Sequence, residues 1–138
     1  MKNTKTYCIS IIICLHNSSQ YIQKLINNLK DIDSKKVQIV FIDDGSTDNT
    51  YALLKKYEKN INFKILKQDN QGLASSRNNA VRNCDSEWIA ILDHDDKYTK
   101  EKIHFCNLFD KSNVSKNNTL IFSNTKILSK SNLIIDKY

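Results

Sequence analysis

The sequence alternates between short, predominantly apolar runs and longer amphipathic stretches, and this alternation restricts the fold more than any other feature. The runs at residues 7–15, 37–42 and 87–92 are too short for helices and are typical of strands buried on both faces of a parallel sheet. Stretches with the helical period follow them. Strand followed by helix, repeated four times along the chain, predicts an α/β fold with right-handed crossovers.

The same patterns place the remaining elements along the 138 residues, a length that suits one domain. The other predicted elements are helices beginning at Ser18 or Ser19 and at Thr47 or Asp48, helices at residues 73–83 and 99–110, and strands at residues 63–66 and 120–123. Residues 111–118 are expected to form a loop, and residues 127–138 a strand-like segment.

Acidic residues follow two of these strands directly. They form two clusters: Asp43, Asp44 and Asp48, and then Asp93, Asp95 and Asp96. Parallel strands bring their carboxyl ends to one sheet edge, where open α/β sheets bind ligands. Because converging carboxylates repel one another, we expect a hard divalent cation, Mg²⁺ or Mn²⁺, with Asp93 and Asp95 as its ligands. Taken alone, either cluster also fits a polar turn that caps the next helix.

The chain contains only two glycines, and both stand at predicted strand-to-helix connections. Gly45 permits a tight turn after the second strand, where a fixed carboxylate can bond a ribose hydroxyl or a base N–H. Gly72 precedes a helix whose amino end favours anions, and Arg77, one turn further on, can add a phosphate contact. Carboxylates that can bind a metal ion and a sugar, together with an arginine that can bind phosphate, indicate a nucleoside-diphosphate site. The absence of Walker and G-x-G-x-x-G patterns argues against ATPases and dehydrogenases.

The charge of the chain and its cysteines indicate which binding partners and which cellular compartment to expect. The net charge is +6, but only two of the 21 basic residues are Arg, and the Lys is spread along the chain, so we expect no nucleic-acid binding. The four cysteines show no metal-ligand spacing, which favours free thiols in a reducing, cytoplasmic compartment. No apolar run approaches the ~20 residues of a membrane span, so no transmembrane segment is expected.

Four segments resemble, in order and spacing, the amino-terminal half of the inverting GT-A glycosyltransferases of family 2. They are residues 9–17, 40–48, 70–78 and 88–96, and the D-D-G-S-T-D and L-D-x-D-D blocks within them are the most specific. The resemblance implies a Rossmann-like, three-layer α/β/α fold with a mainly parallel sheet. It also implies one nucleotide-sugar-binding domain over residues 1–138, well matched at residues 7–110 and weakly defined at residues 111–138.

The resemblance further implies a nucleotide-diphosphate sugar donor, with UDP-sugar as the first choice, a Mg²⁺ or Mn²⁺ ion, and transfer to a saccharide or lipid-linked acceptor. The implied donor-binding residues are Cys14, Leu15, His16, Asp44, Gly72, Arg77 and Asp93. Asp95 would ligate the metal through the diphosphate, with Asp93 beside it. Cys14 and His16 stand where the family usually has Pro and Tyr, so the role of His16 is left open.

Nothing after Asp96 resembles the family's acceptor-binding half or its catalytic base. We therefore expect a truncated, donor-binding part that binds nucleotide and metal but transfers sugar poorly. Association with the inner face of the membrane is a further option, and the oligomeric state is left open. The alternatives are a non-catalytic nucleotide-binding domain, a receiver-type signalling module and a dehalogenase-like phosphatase. A receiver needs its acidic pair at residues 15–17, and the phosphatase needs its nucleophile where Ile42 stands.

Overall fold

The structure, a computed structural model, describes residues 7–96 together with two short strands at residues 127–128 and 134–135. The elements in chain order are β1 (Tyr7–Leu15), α1 (Ser19–Leu29), β2 (Val37–Asp44), α2 (Thr50–Tyr57), β3 (Lys64–Gln68), α3 (Gly72–Arg82), β4 (Ser86–Ile91), β5 (Ile127–Leu128) and β6 (Ile134–Ile135). The predicted helix at residues 99–110, loop at residues 111–118 and strand at residues 120–123 lie outside the described residues.

Strands β1 to β4 form one sheet in the order β3-β2-β1-β4, and all three pairings are parallel. The predicted α/β architecture with a parallel sheet is therefore confirmed. The chain builds β1, β2 and β3 outward in one direction, and then α3 carries it back across the sheet so that β4 pairs with the other side of β1. β5 and β6 pair antiparallel as a separate two-stranded sheet, within the segment predicted to be strand-like.

The two faces of the parallel sheet bury different apolar layers, because successive side chains of a strand point to opposite faces. Ile13 and Phe41 pack with Leu25 of α1 and Leu54 of α2 on one face. On the other face, alternate residues of β1 and β2 pack with Ala80 of α3. Continuous burial of β2 on both faces explains the apolar run at residues 39–42. The result is three layers, helices–sheet–helix.

Two strands extend two residues past their predicted carboxyl ends, and tertiary pairing explains both extensions. β2 continues two residues beyond the predicted end, so Asp43 and Asp44 are its last residues rather than the start of a loop. They pair with Lys67 and Gln68 of β3, which likewise extends past its predicted end. Local hydrophobicity gives no signal for these polar pairs, because the partner strand supplies the hydrogen bonds that define them.

Candidate functional site at the carboxyl edge of the sheet

A cleft of about 300 Å³ opens at the carboxyl ends of β1, β2 and β4. Its lining residues are Cys14, Leu15, His16, Asp44, Leu73, Ser76, Asp93, His94 and Asp95. The cleft lies where the strand order reverses on either side of β1, the position at which open α/β sheets bind ligands. The first strand, the end of the second and the turn after the fourth therefore converge on one cleft, as the sequence predicted.

Six of the predicted site residues line this cleft directly, and the other two contact its walls. Gly72 donates its backbone N–H to Asp44, and Arg77 contacts Asp93. Sequence reasoning missed Leu73 and Ser76, whose positions depend on how α3 docks on the sheet. His94 was missed as well, although it stands inside the acidic motif.

A second cavity of about 310 Å³ lies at the opposite, amino-terminal edge of the sheet. Two of its polar side chains already pair with each other, because Gln38 donates to the Asp85 carboxylate at 2.8 Å. Gln38 also accepts a hydrogen bond from Ser10 at 2.6 Å. These bonds tie β1 and β2 to the start of β4. We therefore place the candidate functional site at the carboxyl edge.

Asp44 is buried at the end of β2, and its carboxylate binds the amino end of α3. It accepts hydrogen bonds from the backbone N–H groups of Gln71 and Gly72, both at 2.9 Å, and from Gln68 Nε2 at 2.8 Å. Burial alone would raise the pKa of Asp44, but these hydrogen bonds outweigh burial and hold its pKa below the usual value. The N–H groups of Gln71 and Gly72 are therefore already occupied, and Asp44 is an anion of the kind that the helix dipole favours.

Arg77 crosses from α3 to the turn after β4. Its Nη2 lies 3.2 Å from Asp93 Oδ1, with about a third of the Arg77 side chain and more than half of the Asp93 side chain exposed. The Nε atom of Arg77 is buried and has no hydrogen-bond partner among the described residues. The guanidinium therefore reaches the cleft through Nη2, which contacts the cleft residue Asp93, while Nε stays buried on the side of α3.

The orientation of His16 follows from its neighbours. Its Nδ1 lies 2.8 Å from the backbone carbonyl of Asp44, which can only accept, so Nδ1 carries the proton. Nε2 is then the acceptor for the side-chain amides of Asn17 and Asn70, each at 3.3 Å. His16 thus joins the end of β1 to the end of β2 and to the loop before α3.

Hydrogen bonds tie the β1–α1 loop to the β2–α2 loop beneath the cleft. Asn17, which adopts a φ of 48°, accepts a hydrogen bond from the Thr47 N–H at 2.8 Å. Asp48 accepts from the Ser19 N–H at 3.0 Å and from the Thr50 N–H at 2.9 Å. The tolerance of Asn for left-handed backbone was the available sequence signal for a turn at Asn17, but the contact between the loops was not predictable from it.

These bonds predict an acid-sensitive contribution from Asp48. Hydrogen bonds from Thr50 and Ser19 outweigh the opposing effect of burial and lower the pKa of Asp48 to about 2. Because the folded-state pKa lies below the unfolded value of about 3.9, Asp48 stabilises the fold fully above pH ~4, and this contribution is lost as the pH falls toward 2. The Tm difference between wild type and Asp48→Asn should therefore shrink over that interval, and a difference that stays constant from pH 6 to 2 would contradict this account.

The described residues fit a metal ion that arrives with a phosphate ligand, and they do not form a closed metal cage. No three His, Cys, Asp or Glu side chains within the described part of the chain are placed to hold an ion together. Asp93 and Asp95 are exposed at the cleft, and Asp95 has no hydrogen bond or ion pair with residues 7–96. Mg²⁺-type ions commonly bind one or two carboxylates and complete their coordination with substrate phosphates and water.

The three-layer fold and the carboxylate-lined cleft at the reversal of strand order define a Rossmann-like α/β protein with a ligand site at the carboxyl edge. Residues 10–111 match the family described as "Glycosyl transferase family 2", and the chain belongs to this enzyme family. No helix among the described residues is long and apolar enough to span a membrane.

The relatives of known activity are longer than this chain. It is 33% identical over 98 residues to the poly(ribitol-phosphate) beta-N-acetylglucosaminyltransferase TarS of Staphylococcus aureus. The match covers 68% of this chain and 17% of TarS. It is 34% identical over 91 residues to the cholesterol galactosyltransferase of Borreliella burgdorferi, covering 65% of this chain and 25% of that enzyme. The chain thus spans a quarter or less of these relatives.

Solved structures confirm the predicted GT-A fold. The structure of S. aureus TarS 1–349 in complex with UDP-GlcNAc matches with a TM-score of 0.68 and 31% identity, over 75% of this chain and 31% of that one. The mannosyltransferase PcManGT from Pyrobaculum calidifontis, solved with GDP-Man and Mn²⁺, matches with a TM-score of 0.64 and 20% identity, over 73% of this chain and 31% of that one. At this lower identity the match supports the fold alone.

Proposed function

We propose that this chain is the donor-binding part of a glycosyltransferase that holds a nucleoside-diphosphate sugar and a divalent metal ion in the carboxyl-edge cleft. The observation that carries the proposal is the convergence of Asp44, Arg77, Asp93 and Asp95, from three separate segments, on one cleft at the switch point of the sheet. The TarS complex with UDP-GlcNAc makes a UDP-sugar the first candidate donor.

The base and ribose would occupy the part of the cleft formed by the ends of β1 and β2. Burial raises the pKa of the Cys14 thiol to about 11, so this thiol is protonated at neutral pH. Leu73 faces the same cleft with 52% of its surface exposed, and so offers apolar area that a base can cover. His16 would shape this subsite through its hydrogen bond to the end of β2.

The diphosphate would lie toward Arg77 and the carboxylates that follow β4. Arg77 can exchange its Nη2 contact with Asp93 for a phosphate oxygen, because that contact is partly exposed and weak. Asp93 and Asp95 would hold Mg²⁺ or Mn²⁺, which when bound neutralises charge on the departing diphosphate. Arg77 would add to that stabilisation of the leaving group.

For the acceptor of the sugar we propose only a chemical class. We infer a saccharide or lipid-linked acceptor, and no residue within residues 7–96 is assigned as the base that deprotonates it. The chain is therefore expected to bind donor more readily than it transfers sugar. Cys8, Cys14 and Cys84 are free thiols, which supports a reducing compartment, and we propose a cytoplasmic location with association at the inner face of the membrane as an option.

Calorimetry on the 138-residue chain tests the proposal. UDP is expected to bind with Mn²⁺ present and to bind more weakly when the metal is replaced by a chelator. GDP in place of UDP tests the choice of base, and incubation with acetyl phosphate tests the receiver alternative, for which we expect no labelling. Failure of both UDP and GDP to bind in Mn²⁺ would overturn the assignment.

A further inference from the structure

The turn formed by residues 93–96, here called the acid turn, is anchored at its base and from the α3 side of the sheet. Leu92 continues the strand pairing by donating its N–H to the Ile12 carbonyl at 3.1 Å, and the N–H of Asp96 closes the turn onto the Asp93 carbonyl at 3.1 Å. Arg77 then contacts the Asp93 side chain. None of these contacts involves the middle of the turn.

A ring contact from the opposite face of the sheet supplies an anchor for the middle of the turn. The rings of Tyr21 and His94 lie with their centroids 4.7 Å apart and tilted by 56°, a separation and angle typical of favourable aromatic pairs. His94 is partly buried, whereas Asp93 and Asp95 on either side of it are exposed. The sequence places His94 in the acidic motif but offers no role for it.

Tyr21 is well placed to act as a fixed support. It lies in the first turn of α1, where its N–H donates to the Ser18 carbonyl at 2.9 Å. The next residue, Ile22, is fully buried, and Leu25 follows on the same buried stripe. Tyr21 does not line the cleft, so any influence on a bound ligand passes through His94.

We propose that Tyr21 is a positioning residue for the acid turn: its ring holds His94, and the held turn directs Asp95 into the cleft. This inference takes its ligand, the divalent metal ion, from the proposed function. Its geometry comes from the contact between the Tyr21 and His94 rings. Asp95 has no hydrogen bond or ion pair of its own within residues 7–96, so its neighbours set its direction. Because His94 and Asp95 are adjacent in a turn that the Asp96–Asp93 hydrogen bond closes, fixing His94 restricts the backbone that carries Asp95.

Hydrogen exchange of the metal-free protein tests the geometry. Tyr21→Ala should speed exchange of the Leu92 and Asp96 amides by about twofold to tenfold, the range set by the free energy of one aromatic pair. Tyr21→Phe keeps the ring and should leave the exchange rates unchanged. Lys24→Ala, an exposed substitution on the same helix, controls for general effects on α1. If Tyr21→Ala does not fold, His94→Ala removes the same contact and should give the same result.

Mn²⁺ titrations in saturating UDP test the consequence for the site. Tyr21→Ala should weaken Mn²⁺ binding about twofold to tenfold and leave UDP affinity in chelator unchanged, and Tyr21→Phe should restore wild-type values. Unchanged Mn²⁺ affinity in both Tyr21→Ala and His94→Ala would overturn the inference, even if exchange became faster. If wild type binds no Mn²⁺ and UDP, the proposed function fails and Tyr21 has no ligand site to position. The exchange data then report only on the ring contact.

Discussion

Replacement of Asp95 by alanine is expected to remove most of the metal-dependent part of UDP binding while leaving the fold intact. Asp95 is exposed, lines the cleft and has no described partner whose loss would unsettle the structure. A contact to a charged group contributes on the order of 1.5–3 kcal/mol, so UDP affinity in Mn²⁺ should fall about tenfold to a hundredfold. UDP affinity in chelator should not change.

Calorimetry with and without Mn²⁺ measures this effect, and Asp31→Ala is the matched control. Asp31 is also an exposed aspartate, but it follows the carboxyl end of α1, far along the helix from the cleft. Both variants lose one negative charge, so a general electrostatic effect would appear in both. Equal Mn²⁺ dependence in wild type and Asp95→Ala would rule out Asp95 as a metal ligand.

Gly45→Ala is expected to destabilise the fold strongly, and more than Gly72→Ala does. Gly45 has a φ of 66°, and a β-carbon there would lie 2.6 Å from the backbone nitrogen of Asn70. The strained backbone costs about 1–3 kcal/mol and the forced separation of two loops about 1–3 kcal/mol more. The loss, about 2–6 kcal/mol, is a large part of the roughly 5–15 kcal/mol typical of folded domains.

Gly72→Ala separates the two causes. Gly72 has a φ of 83°, but a β-carbon there meets nothing within 4 Å, so only the backbone strain of about 1–3 kcal/mol applies. In denaturant unfolding, Gly45→Ala should therefore have a clearly lower midpoint than Gly72→Ala. Equal midpoints would show that the loop before α3 yields to the added methyl group.

The strands and helices of residues 7–96 were predictable because each has a local signal. The apolar run at residues 39–42 of β2 reflects burial on both faces of the sheet, and the buried stripe of α1 (Ile22, Leu25, Ile26 and Leu29) has the period of a helix. The order of the strands was less accessible. No local sequence pattern indicates that β4 pairs with β1 instead of β3, since that pairing depends on how α3 packs across the sheet.

The candidate site divides in the same way. Asp44, Arg77, Asp93 and Asp95 were found because charged residues directly after apolar strands are conspicuous, and the family resemblance added Cys14, Leu15, His16 and Gly72. The contacts that hold these residues were not found. Asn70 next to His16, and Tyr21 against His94, join positions 54 and 73 residues apart, and neither pair has a sequence pattern that links its members.

The carboxylate of Asp44 makes the start of α3 dependent on the end of β2, and this has a consequence for altering the enzyme's preference for its donor. A substitution at Asp44 that is meant to recognise a different base would also release Gln71 and Gly72, and so displace Arg77 five residues along the same helix. In the proposed donor site, recognition of the base and alignment of the phosphates would therefore be coupled at Asp44. Redesign should begin instead at Leu73, whose exposed side chain borders the cleft and makes no hydrogen bond on which the helix depends.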